Sequence, residues 1–165
     1  MADLIKIDFI EMPKVLVVGK TLEVDWTKIH ENNPIPAFWD ECFRDGLFKK
    51  LEALEEYVYD PAYVGYMNMH SYTCGMLMKL GCPEPADDFK KYEIIPTTAA
   101  VGWIKGHEKD VFMSAHKLTE KALEDWGYRY NPNCRWSMEF YNCPRFTEKD
   151  EEGKVILDYY IPVAK

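Results

Sequence analysis

Apolar residues along this chain follow two rhythms, one of period two and one of period near 3.6, and their alternation predicts the elements. From Ile5 to Ile10 apolar positions alternate with polar or charged ones, and Val15-Leu16-Val17-Val18 is a β-branched-rich run. Together they predict a strand, or a bent pair of strands, from about Ile5 to Val24, interrupted near Pro13. Asn32 to Pro36 reads as a loop whose last proline opens a helix. Phe38, Cys42, Phe43, Leu47, Leu51 and Leu54 then recur at helical spacing. Gly46 weakens that helix by about 1 kcal/mol relative to alanine and marks a place of close packing. The chain leaves the helix between Tyr57 and Pro61. Two short strands follow, Tyr63 to Met69 and Tyr72 to Met78, joined by a tight His70-Ser71 turn.

The Pro-rich, acidic stretch Gly81 to Asp88 is a connector. A third β region spans Tyr92 to Lys105. Val111, Ala115, Leu118, Ala122 and Trp126 mark a second amphipathic helix, closed by Gly127. An aromatic-rich strand over Trp136 to Cys143, a charged hairpin loop over Thr147 to Gly153 and a closing strand over Lys154 to Val163 complete the chain. The two halves match. Pro13 precedes Gly19 by the interval at which Pro96 precedes Gly102, Ala53 to Tyr57 resembles Ala122 to Trp126, and Met67 and Met138 lie equally far beyond Pro61 and Pro132. Each half reads β-α-β-β, a unit that needs a second copy to bury its faces. The expected architecture is therefore α+β: one domain of two pseudo-repeats, about residues 1–82 and 90–165. Their strands would form one antiparallel sheet, with both helices on one face and a groove between them.

Composition narrows the function. The chain of 165 residues is 47% hydrophobic and 15% aromatic, with a formal net charge of −8. A substantial core is within reach, and a broad nucleic-acid-binding surface is disfavoured. Five cysteines form no CxxC pair; seven residues separate Cys74 from Cys82 and eight separate Cys134 from Cys143, neither a zinc-ligand spacing. The four histidines make no HExxH-like pair, and no phosphate-cradling glycine loop occurs. No metal or cofactor is expected. The N-terminus does not read as a signal peptide, and no run approaches the ~20 apolar residues of a membrane helix. Reduced thiols in a cytoplasmic protein, without membrane or direct nucleic-acid partners, follow.

The chemistry concentrates on Trp136 to Cys143. Alternation places Trp136, Met138 and Phe140 on one face and Ser137, Glu139 and Tyr141 on the other. Glu139 is either a solvent-facing residue of a half-exposed strand or a lone acid at the base of an aromatic pocket. In the repeat register it corresponds to Asn68, so the acid belongs to one half only. A desolvated carboxylate can attract a cation or serve as general base on a water positioned by Tyr141. Trp39 reads as a pocket-rim residue, Trp103 as pocket wall or core plug, and Tyr72 as the aromatic of the first half that approaches the groove. Trp126 and Trp136 are placed in the core, Asp158 at a sheet edge on the surface in preference to a second acid of the site, and Cys74 and Cys143 as small apolar fillers.

Met138 to Tyr141, then Ile156 to Val163, together with Pro13 to Gly19 and Tyr72 to Gly75, resemble the GyrI-like small-molecule-binding domain, the effector module of AraC- and MerR-type regulators. The resemblance covers essentially the whole chain. It implies that Glu139 pairs with lipophilic cations held by aromatic rings, a multidrug-type site. For stand-alone members it implies, alternatively, a hydrolase that opens cyclopropane-bearing genotoxic compounds with Glu139 and Tyr141. Two departures stand out: no helix-turn-helix segment precedes the domain, and Asn142-Cys143-Pro144 replaces the usual Asp-Pro turn.

Overall fold

The computed structural model describes residues 1–142 and 144–165; the expectation for Cys143 lies outside the described residues. In chain order the elements are β1 (Asp3–Met12), β2 (Val15–Glu23), α1 (Ile35–Arg44), α2 (Leu47–Glu52), β3 (Val58–Met67) and β4 (Ser71–Met78). There follow β5 (Lys90–Ile94), β6 (Thr97–Gly106), α3 (Glu108–Ala122), β7 (Arg129–Tyr130), β8 (Ser137–Tyr141) and β9 (Val155–Ala164). The described strand pairs are antiparallel and the fold is α+β. No helix among the described residues is long and apolar enough to cross a membrane.

The chain forms two compact units. One runs from Lys14 to Ile95, and the other combines Met1–Pro13 with Pro96–Lys165. In the first, strands lie in the order β3-β4-β2-β5; in the second, β1-β6-β9-β8, with β7 also on β9. The strand that opens the chain thus pairs with β6, and β5 pairs with β2. The chain passes between units beside Pro13 and Pro96, the two prolines that the internal match aligns. Proline has no N–H to offer a ladder, so a strand ends naturally there. The single β region expected over Tyr92 to Lys105 is accordingly two strands, broken at Ile95-Pro96.

In the Lys14–Ile95 unit, α1 buries Phe38 and Cys42 while α2 buries Leu47, Phe48 and Leu51 against β2, β3 and β4. Full burial of one such leucine contributes about 1.5–3 kcal/mol. The expected single helix is divided at Gly46, which sits in the left-handed region with φ 72° and has open space around it. Gly46 is there for a turn, not for close packing. That turn lets the apolar stripes of two short helices both face the sheet. In the other unit, α3 lays Val111, Ala115 and Thr119 on β6 and β9, an i, i+4 stripe. Thr119 is tolerated in that stripe because its hydroxyl donates to the Ala115 carbonyl at 2.8 Å. Trp126 is not core: it is 58% exposed at the end of this helix, tilted against Phe9.

Gly19 of β2 and Gly75 of β4 face each other across the ladder. A Cβ on Gly19 would lie 1.9 Å from the Cys74 carbonyl oxygen, a backbone atom that cannot swing aside. Gly19→Ala should therefore cost about 3 kcal/mol, the upper range for overpacking. Gly46→Ala, which meets nothing but needs a left-handed backbone, should cost about 1 kcal/mol. Urea unfolding would register both as lower midpoints at unchanged slope. A Gly19→Ala protein as stable as the parent would refute the close approach of β2 and β4.

Candidate functional site

Strand β8 carries two chemistries on its two faces. Its ladder with β9 pairs Met138 with Tyr160, Glu139 with Tyr159 and Phe140 with Asp158. Glu139 and Tyr159 consequently share one face with Tyr141, and this is the face on which α3 lies, since His116 of α3 reaches Tyr159. Glu139 is buried, 8% exposed, and the Tyr141 hydroxyl donates to its Oε1 at 2.8 Å. Tyr141 meets Phe146 edge-on with ring centres 4.9 Å apart, and Phe112 of α3 approaches both rings at about 6 Å. Phe112 is 40% exposed, so this aromatic group opens to solvent on the helix side.

Tyr159 lies 2.9 Å from Nδ1 of His116, whose ring it meets at 89°. Burial pushes the Tyr159 phenol up; the Ser137 hydroxyl opposes this and the charge of Glu139 adds to it. Burial also pushes the His116 imidazole down, while Glu120 one turn along α3 pulls it back. Tyr130 of β7 donates to the Trp136 carbonyl at 2.8 Å, and its phenol too is raised by burial.

The other face holds a buried ion pair. Asp158 is 2% exposed on β9, which lies between β6 and β8, so it is neither at a sheet edge nor on the surface. It accepts from Arg145 Nε at 2.7 Å, again from Arg145 Nη2, and from Asn142 at 2.8 Å. The sequence pattern around it is apolar, and only the folded loop brings Arg145 back over the strand. Trp103, paired with Asp158 across β6 and β9, shares this face and not that of Glu139. Its ring stands between Arg145, 4.3 Å away, and Lys6, 4.5 Å away.

Trp39 and Tyr72 belong to the Lys14–Ile95 unit, where the Trp39 indole donates to the Tyr72 hydroxyl at 2.8 Å. Tyr72 is 1% exposed, and Trp39 stacks on Phe48. Asn68, the repeat counterpart of Glu139, closes the β3–β4 turn by accepting from the backbone N–H groups of His70 and Ser71. Of the five residues singled out from sequence, Glu139 and Tyr141 are in contact. Trp103 lies on the opposite face, and Trp39 and Tyr72 form a pair of their own. Phe112, Phe146, Tyr159 and His116 were not anticipated; the i, i+4 pair His116 and Glu120 on the α3 pattern was the signal available for the last. Among the described residues no cluster of histidine, cysteine, aspartate and glutamate could hold a metal ion, and Cys42, Cys74, Cys82 and Cys134 are buried and not in disulfides.

A family model described as Poxvirus D5 protein-like matches residues 30–127, more than half of the chain. The chain belongs to the Poxvirus D5 protein-like family. The match to that family ends at Gly127, so β8 and β9, with Glu139, Tyr141 and Tyr159, lie beyond it. No curated protein matches the chain. Solved structures do. SAV2435 bound to tetraphenylphosphonium superposes with a TM-score of 0.69 at 12% identity, covering 97% of this chain and 94% of that one. The EcmrR C-terminal domain gives 0.57 at 19% identity, covering 97% and 98%. A hydrolase encoded by lin2189 from Listeria innocua gives 0.52 at 12% identity, covering 96% and 92%. At these identities the likeness establishes the fold this member of the Poxvirus D5 protein-like family shares with them.

The Asp158 ion pair carries an expectation for stability. Arg145→Ala would leave a buried carboxylate without its guanidinium and should cost about 3 kcal/mol. Lys6→Ala removes a cation from the other side of Trp103, but Lys6 and its partner Asp8 are both half-exposed, and its loss should cost less than about 1 kcal/mol. Chemical denaturation of the two variants compares them directly. Equal losses would mean that Arg145 acts only through the Trp103 ring.

Proposed function

We propose that this chain is a GyrI-like small-molecule-binding domain that holds lipophilic cations against Glu139, acting in the cytoplasm. The observation that carries this reading is the buried Glu139 carboxylate, held by the hydroxyl of Tyr141, whose ring in turn meets those of Phe112 and Phe146. A carboxylate supplies Coulomb attraction that a low-dielectric wall strengthens. Each ring face that meets a cation adds about 0.5–2 kcal/mol. A flat or propeller-shaped organic cation satisfies both at once, and a metal ion would leave the rings idle. The fold shared with SAV2435, which was solved with tetraphenylphosphonium, supports the same ligand class. Trp39, Tyr72 and Trp103 remain candidate ligand contacts from the sequence, of which Trp103 is the weakest on its opposite face.

A second reading keeps the site and changes the outcome. The Tyr141-to-Glu139 hydrogen bond is also the geometry of a base with a positioning partner, and the fold is shared with the Listeria innocua hydrolase. In that reading Glu139 takes a proton from a water that opens a cyclopropane-bearing genotoxic compound, and the phenol of Tyr141 fixes the water.

Titration with tetraphenylphosphonium separates the readings. Glu139→Gln should weaken its binding by about 1–3 kcal/mol, the scale of a charge partner, and Tyr141→Phe should weaken it less. Triphenylphosphine oxide, neutral and similar in shape, should bind more weakly to the parent and respond little to either change. Equal affinity of parent and Glu139→Gln for the cation would remove the site. Were the chain a hydrolase, Glu139→Gln would retain a neutral cyclopropane-bearing compound and lose its turnover.

A further inference from the structure

On the face of β8 and β9 that carries Glu139, polar contacts continue from its strand partner to the surface of α3. Tyr159 stands directly opposite Glu139 in the ladder, a spacing at which side chains touch. Its hydroxyl lies 2.9 Å from His116 Nδ1, and His116 Nε2 lies 3.6 Å from Glu120 Oε2. The Tyr130 ring flanks the imidazole at 6.3 Å. The His116 side chain is 47% exposed, so protons reach it from bulk water without passing through the aromatic group. We propose that His116 is a specificity-determining residue of the Glu139 site: protonated, it sets a positive charge one tyrosine away from the carboxylate and selects against bound cations. The proposal rests on the cation reading given above.

The charged and ionisable groups facing His116 are few. Glu120 comes from its own helix, Tyr159 from β9, Tyr130 from β7 and, through Tyr159, Glu139 from β8. The β6 position in register with Tyr159 is Gly102, and the β1 position in register with Gly102 is Ile7, so neither strand brings a charge there. Both phenols are raised by burial and stay neutral, which leaves the imidazole as the ring that gains charge in mildly acid solution. Its protonation also reverses a hydrogen bond. Neutral, Nδ1 can accept from the Tyr159 hydroxyl; as imidazolium it can only donate, and Tyr159 must turn its own proton toward another acceptor. Burial holds the imidazole below its ordinary value of 6.5. Cation affinity is therefore full at neutral and alkaline pH and falls as pH drops through that lowered value. Linkage makes the effect reciprocal: a cation at Glu139 lowers the proton affinity of His116 by the same factor.

The test is tetraphenylphosphonium binding by calorimetry from about pH 8 to about pH 5, on the parent chain and on His116→Gln, with triphenylphosphine oxide as the neutral probe. His116 is on a half-exposed helix surface, where glutamine is a good helix former. The parent should lose about fivefold in cation affinity across the range, the size expected for like charges several ångströms apart beside a protein surface. Protonation of Glu139 itself is common to both proteins, so the step missing from His116→Gln isolates the imidazole. Nuclear magnetic resonance of the imidazole should show its midpoint moving down when the cation saturates the site. An identical loss in His116→Gln, or an imidazole midpoint unmoved by saturating cation, overturns the proposal while leaving cation binding intact. Absence of cation binding by both proteins at about pH 8 overturns the ligand class, and this proposal with it.

Discussion

Two carboxylates are buried within one pair of strands, and much of the Glu139-bearing unit follows from how each is accommodated. Asp158 and Glu139 sit one ladder step apart on β9 and β8, and the pleat sends them to opposite faces. A buried carboxylate demands hydrogen bonds or a countercharge. Asp158 receives a guanidinium from the loop after β8, which ties that loop to the central strand and fixes Trp103 beneath it. Glu139 receives a phenol from two residues along its own strand, which leaves the Tyr141 ring beside Phe112 and Phe146. One acid thereby closes a face and the other lies beside an aromatic group that opens to solvent.

The Lys14–Ile95 unit repeats part of this arrangement without the acid. In each unit a ring nitrogen from a helix meets a tyrosine hydroxyl on a strand: Trp39 with Tyr72, His116 with Tyr159. Opposite Tyr159 stands Glu139, but opposite Tyr72 stands Met67. The indole and phenol of the Lys14–Ile95 unit lock together in an apolar setting, with Phe48 and Tyr63 stacked beside them at 3.8 Å. The sequence repeat aligns Glu139 with Asn68, whose side chain is spent on the β3–β4 turn, so neither that position nor the one opposite Tyr72 puts an acid in the Lys14–Ile95 unit.

Much of this was legible from the chain. Period-two and period-3.6 stretches located the strands and helices, and the strand alternation put Glu139 and Tyr141 on one face because a pleat leaves no other choice. Pro13 marked the break between the first two strands, but the equivalent break at Pro96 was masked because apolar and β-branched residues continue on both sides of it. What stayed hidden depends on contacts distant in sequence. Asp158 looked like a surface residue because Arg145 comes to it across a hairpin loop, and Trp103 could not be assigned a face until its register with β9 was known. Trp126 fits an apolar helical stripe, but it ends a short 3-10 turn in which only Leu123 is buried, and its ring lies exposed against Phe9. His116 carries no local signal beyond Glu120 one turn away, because the partner that matters is a tyrosine on the last strand, 43 residues on.

The pairing of β1 with β6 orders events on the ribosome. Asp3 finds its ladder partner in Lys105, so the opening strand must wait until some hundred further residues have been made. Meanwhile Lys14 to Ile95 contains four strands that pair with one another, and this unit can close first. A nascent chain therefore carries a finished unit preceded by ten residues of unsatisfied strand. That strand alternates apolar residues with Asp3, Lys6, Asp8 and Glu11, and such charges deter pairing with the wrong edge. The polar half of β1's pattern protects the chain before it folds, as its apolar half holds the chain afterwards.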